Sequence, residues 1–104
     1  MTPTNYRSAN MIIQAILESI IRAEQNEEND LRGIVKSNII RYCGLKTATA
    51  EKYLKLLEQA NYIKSKEIRW GERTIIVYNT TELGRSRYLW FVQLNTELGG
   101  KVDE

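Results

Sequence analysis

The residues with chemistry to offer are lysines, arginines and hydroxyls. The 104-residue chain contains no histidine and a single cysteine, Cys43. That removes Ser–His and Cys–His nucleophile pairs and the usual zinc and iron ligand sets. Carboxylates occur in pairs, Glu51 with Glu58 and Glu67 with Glu72, but no nucleophile or ligand set accompanies them, and they read as surface groups. No enzymatic activity, metal or cofactor is therefore expected. One cysteine cannot close an internal disulfide, which suits a reducing, cytoplasmic setting.

Basic residues are concentrated in the middle of the chain. Residues 31–90 hold twelve Lys/Arg against five Glu, whereas residues 1–30 hold two against five acids and residues 91–104 one against three. The overall charge of +2 hides this basic centre, which suggests a polyanion as partner, although a charged solvent face looks similar in part. Ile12, Ile16 and Ile20 with Ile13, Leu17 and Ile21 predict an amphipathic helix over about 8–23, capped by Ser8. The run Glu24-Gln25-Asn26-Glu27-Glu28-Asn29-Asp30 reads as a solvated helix end and loop. Gly33-Ile34-Val35-Lys36 suggests a short strand, and Ser37 an N-cap for a short helix that meets Cys43-Gly44. Gly44 suits the left-handed conformation that ends such a helix, and Leu45 tucks beneath the turn. A third helix over 47–60 follows, with Asn61 as its stop.

Beyond Asn61 the period changes. Residues 62–70 and 74–79 read as two strands around a turn at Gly71-Glu72-Arg73, a β-hairpin. Thr80 or Thr81 should cap a last helix running to about Leu98, ended by Gly99-Gly100. The expected fold is α+β, mainly α: helix, short strand, helix, turn, recognition helix, β-hairpin wing and C-terminal helix, a winged helix-turn-helix. One domain is expected over 1–98, including a dimerisation helix at about 81–98, with 99–104 as a flexible tail. No apolar run approaches the ~20 residues needed to span a bilayer, and the N-terminus lacks a signal-peptide layout.

Residues 36–63, KSNIIRYCGLKTATAEKYLKLLEQANYI, resemble the helix-turn-helix of small archaeal winged-helix regulators. MIIQAIL at 11–17 is similar to their first helix, and TTELG at 80–84 to the Thr-x-x-Gly step between wing and last helix. The resemblance covers most of residues 7–92. It implies binding of double-stranded DNA by a homodimer, for transcription control or DNA packaging, in a cytoplasmic, nucleoid-associated protein. Some relatives extend the last helix into a long coiled coil; here only about 17 helical residues precede Gly99.

The candidate contact residues follow from helical geometry at ~100° per residue. Ala50, Leu54 and Leu57 share one face of the third helix, with Tyr53 at its edge, and Ala48, Lys52, Lys55 and Gln59 share the opposite one. Cations, an amide and a small residue are the mix that reads phosphates and base edges. On an isolated helix the same lysines, beside Glu51 and Glu58, would read as a solvated face. Lys46, Thr47 and Thr49 at the helix start, and Arg41 at the end of the preceding helix, are placed for backbone phosphates. The hairpin adds Lys64, Lys66, Arg69 and Arg73, of which Arg69 and Arg73 are the expected contacts. Trp70 either stacks on DNA or covers the hairpin, and Cys43 reads as a buried small hydrophobe.

In the last helix, residues 88–94 include six apolar side chains in seven. One face completes the core and the other needs a cover. Tyr88, Trp90, Phe91 and Leu94 are the expected dimer contacts, unless the helix is wholly buried. The competing readings are a non-specific nucleoid protein and a winged helix used only for protein–protein contact.

Overall fold

A computed structural model describes residues 8–98. The order is α1 (Ala9–Gln25), α2 (Lys36–Cys43), α3 (Thr47–Gln59), β1 (Ile63–Trp70), β2 (Arg73–Thr80) and α4 (Glu82–Glu97). This is the winged helix-turn-helix expected from the sequence. The apolar stripe of α1 closes over Ile39 of α2, Leu54 and Leu57 of α3 and Ile63 of β1 in one buried cluster. Ile16, Leu17 and Ile20 are fully buried, and Ile12 and Ile13 pack on the cluster's edge.

The local signals act where their chemistry placed them. The Ser8 hydroxyl accepts from the Met11 amide and starts α1. Gly44, at φ 66°, ends α2 in the left-handed region, where its amide and that of Leu45 both bond the Ile40 carbonyl. Asn61, also at φ 66°, ends α3, and Leu45 packs against the core.

Three local expectations are corrected. The expected short strand at 33–36 shrinks to one residue: Ile34 exchanges both backbone hydrogen bonds with Tyr78, on the edge of β2 away from β1. Lys36 already belongs to α2, because the amides of Asn38 and Ile39 both reach the carbonyl of extended Val35. Ser37 is therefore inside the helix, and α2 has no side-chain cap. The turn is two residues, Gly71-Glu72, and Arg73 opens β2 opposite Trp70. Gly71 at φ 69°, followed by a residue at negative φ, is the mirror-image turn that matches strand twist.

Two residues of the run read as solvated, Glu24 and Asn29, hold the frame instead, together with Glu18. The Glu24 carboxylate accepts from the Thr80 amide (2.7 Å), the Thr80 hydroxyl (2.6 Å) and the Asn79 amide, tying the end of α1 to the end of β2. The Asn29 side chain donates to the Ala23 and Gly33 carbonyls and so closes the α1–α2 connection. Glu18 accepts from Tyr42 of α2 (2.8 Å), Arg22 (3.0 Å) and Tyr88 of α4 (3.4 Å), joining three helices. The Tyr42 hydroxyl, more than Arg22, holds the Glu18 carboxyl below its ordinary value.

At the start of α4 two backbones approach closely. The Thr81 amide donates to the Tyr62 carbonyl, and the Thr81 hydroxyl both donates to the Asn61 carbonyl and caps the Gly84 amide. A Cβ on Gly84 would stand 1.9 Å from the Tyr62 carbonyl oxygen. Gly84→Ala is expected to lower unfolding free energy by about 3 kcal/mol, measured by denaturant titration. The exposed Ser86→Ala should stay within about 0.5 kcal/mol. Because the folded-state pKa of Glu18 is depressed, its contribution is full above the unfolded value and is lost as pH falls. Stability should decline more steeply between about pH 5 and 3 in the native chain than in Glu18→Gln.

Candidate nucleic-acid interface

α3 is fastened on its inner face and on one flank. Ala50, Leu54 and Leu57 are buried, and Tyr53 packs at the core's edge. On the flank, Glu51 pairs with Lys36 of α2 at 2.6 Å, and Glu58 accepts from Ser65 of β1 at 2.8 Å. The Lys36–Glu51 pair raises the lysine's pKa above its ordinary value. The same flank forms a cleft with Tyr78 of β2, whose hydroxyl is pushed up by burial. Of the two acids beside the lysines, Glu51 is thus engaged by α2 and Glu58 by β1, and Lys55 borders the same cleft.

The outward face is left bare. Ala48, Lys52, Lys55 and Gln59 are all exposed. Among the described residues the ion pairs are Arg22–Glu18 and Lys36–Glu51, so neither Lys52 nor Lys55 is part of one. The Lys52 ammonium lies 5.7 Å from the Tyr53 ring centroid. Leu56, 47% exposed, stands beside Lys52 and Gln59; helical spacing places it there, since it follows Lys52 by four residues. α3 has no side-chain cap, in contrast to α1 and α4, so its first-turn N–H groups stay free for an acceptor. Lys46 and Thr47 at that end are exposed, while Thr49 is half-buried. Arg41 is exposed with its guanidinium on the Asn38 side chain.

The wing divides its cations between two faces. Arg69 stands opposite Thr74, and Arg73 opposite Trp70. Strand alternation therefore puts Arg69 on the face of Ser65 and Tyr78, which meets α3. Arg73, Trp70, Lys66 and Lys64 share the other. The structure does not bring Arg69 and Arg73 together. Trp70 is 46% exposed near the tip, away from the core.

α4 carries a second exposed surface. Tyr88 and Phe91 are half-buried against the chain's own core, while Trp90 and Leu94 face outward. Leu89 (65% exposed) and Leu98 (42%) extend that strip; the i, i+4 row of Trp90, Leu94 and Leu98 signals it in the sequence. The Arg87 guanidinium lies 4.3 Å from the Trp90 ring centroid. Beside them a groove of about 350 Å³ runs between Tyr62, Phe91 and Glu97. Among the described residues no cluster of metal-ligating side chains forms, and no helix is long and apolar enough to cross a membrane.

This arrangement is that of a winged-helix domain, and solved structures bear out the fold. The chain is similar to the transcriptional regulator SlyA, with a TM-score of 0.62 and 18% identity over 97% of this chain. It spans 64% of that protein's length. Two structures of Lactococcus lactis ZitR also align. An apo-form double mutant does so at 20% identity over 91% of this chain and 67% of its own, with a TM-score of 0.48. ZitR described as a zinc-responsive MarR family member does so at 17% identity over 100% and 69%, also at 0.48. The fold assignment rests on SlyA. No family model and no curated protein matches the sequence.

Proposed function

We propose that this chain binds double-stranded DNA as a homodimer and acts as a transcriptional regulator. The observation that carries the reading is the bare outward face of α3. Ala48, Lys52, Lys55 and Gln59 point to solvent while Glu51 and Glu58 are held on the flank. In this reading α3 enters the major groove. Lys52 and Lys55 meet phosphates or guanine edges, Gln59 an adenine, and Ala48 permits close approach. Lys46, Thr47, Thr49 and the uncapped N-terminus of α3 take a backbone phosphate, with Arg41 alongside. Arg69 follows the backbone beside α3, and Arg73 reaches the flanking groove from the wing's tip. The likeness to a protein described as a transcriptional regulator supports regulation as the role.

Dimerisation is proposed through α4, where Leu89, Trp90, Leu94 and Leu98 form an exposed apolar strip too contiguous for a lone 104-residue chain. Phe91 and Tyr88 support the strip from beneath. A twofold axis there would set two copies of α3 on successive major-groove faces, ~34 Å apart. A nucleoid-type architectural role uses the same surfaces with little sequence preference, and cations on both faces of the wing favour it.

Lys52→Ala/Lys55→Ala is expected to weaken duplex binding at least ~10-fold, as two lost charge contacts imply, with the thermal midpoint unchanged. Fluorescence anisotropy against salt, with a random-sequence competitor, checks this and separates regulator from architectural binder by the strength of discrimination. Equal affinity in the variant would remove α3 from the interface. Trp90→Glu should convert dimers to monomers in light scattering without loss of fold, and an unchanged dimer would place the contact elsewhere.

A further inference from the structure

The hairpin gathers a second set of cations on the side away from α3. Lys64 stands opposite Asn79, and Lys66 opposite Val77. That face is the reverse of the one bearing Ser65 and Tyr78, which meet α3. Arg32 reaches the same place from the α1–α2 connection. With Glu24, Ser65, Asn79 and Thr80, these three cations line a concavity of about 500 Å³ at the base of the hairpin, its cations on the reverse face and Ser65 at its border with the other. Glu24 is the one carboxylate on that wall, and both of its oxygens already accept from Thr80, one of them also from Asn79. None of the three cations forms an ion pair among the described residues.

The backbone gives a second, independent sign. Arg32 holds φ 57°, a conformation that side-chain-bearing residues avoid and glycine adopts freely. The Asn79 amide donates to its carbonyl and fixes it there. The glycine instead occupies position 33, where a Cβ would come within 2.5 Å of Val77 Cγ1 and 2.7 Å of the Tyr78 carbonyl oxygen. A glycine at 32 would relieve the strain; the chain keeps a guanidinium there, at the mouth of a concavity already holding two lysines. Strain retained at one residue points to use of its side chain.

We propose that this concavity is a second polyanion site, which takes backbone phosphates of a second duplex segment while α3 and the tip of the wing hold the first. The proposal rests on the DNA-binding reading above. Lys64 lies seven residues from Gly71, roughly 23 Å along the strand, and faces away from α3. In this proposal a duplex seated on α3 with the wing tip in its groove leaves Lys64 uncovered. Lysine and arginine contacts to phosphate carry no sequence information, so the site adds bridging between duplexes and leaves specificity to α3.

The test is sedimentation of the full chain with a duplex of about 12 bp, close to one helical turn, at low salt where surface charges act at full range. A duplex this short does not hold two half-sites centred ~34 Å apart, so the copies of α3 in a dimer do not share it, and the native chain should saturate at two duplexes per chain. Arg32→Gly/Lys64→Ala/Lys66→Ala should saturate at one, with affinity at the remaining site changed less than about 2-fold, as distant sites imply. Arg32→Gly alone should keep or raise the thermal midpoint while weakening the second binding step, which separates loss of ligand from loss of fold. Lys52→Ala/Lys55→Ala should retain the second site. Saturation of the native chain at one duplex, or a triple variant that still takes two, overturns the second site alone. A native chain that takes up no duplex overturns the DNA-binding reading and the second site together.

Discussion

The structure depends on one backbone meeting another at the start of α4. The Tyr62 carbonyl, just past the end of α3, receives the Thr81 amide and sits where a side chain on Gly84 would be. This contact pulls the two ends of the hairpin together, because Ile63 and Thr80 are its first and last paired residues. It also sets α4 directly against the exit of α3. Glu24 adds a second tie from α1 to the same corner through Thr80, and Arg85 of α4 donates to the Thr80 carbonyl and hydroxyl. With that corner fixed, the direction of the wing relative to α3 and of α4 relative to α1 follows.

Charge is sorted around this frame. Glu18, Glu24, Glu51 and Glu58 all accept hydrogen bonds from neighbouring elements. The cations facing outward on α3 and on the wing have no such partners among the described residues. A nearly neutral chain thereby presents basic surfaces, because four of its acids are engaged between one element and another. The sum of charges in a sequence does not reveal such sorting, since whether a carboxylate faces inward or outward is a property of the assembled elements.

Much of the fold was legible because its signals are local. Ser8, Gly44 and Asn61 act within three or four residues of themselves, as does Thr81 in capping Gly84, and the faces of α3 follow from helical period alone. What escaped is decided across the chain. Ile34 is a strand residue only because Tyr78 lies beside it, and Ser37 lost its capping role because extended Val35 starts the helix earlier. Arg73 left the turn because strand twist favours two residues there. Glu24 and Asn29 looked like ordinary solvated residues until Thr80 and Gly33 arrived from elsewhere. At the candidate interface the outward face of α3 was readable from spacing. The opposition of Arg69 and Arg73 was not, because it depends on the register of two strands, and a one-residue shift reverses it.

Asn95 shows what the α1–α4 seam has given up in exchange for order. It is buried, its amide donates to Gln14 at 2.6 Å and to the Asn10 carbonyl at 3.4 Å, and its own carbonyl oxygen has no partner among the described residues. An apolar side chain there would leave no unpartnered oxygen, but would make no directional bond to α1. The amide holds in one place, seven residues past Tyr88 on α4, while its partner Gln14 lies four residues before Glu18 on α1. Like a notch in a sliding scale, it makes the setting of the last helix discrete, and with it the line along which the exposed apolar strip is drawn.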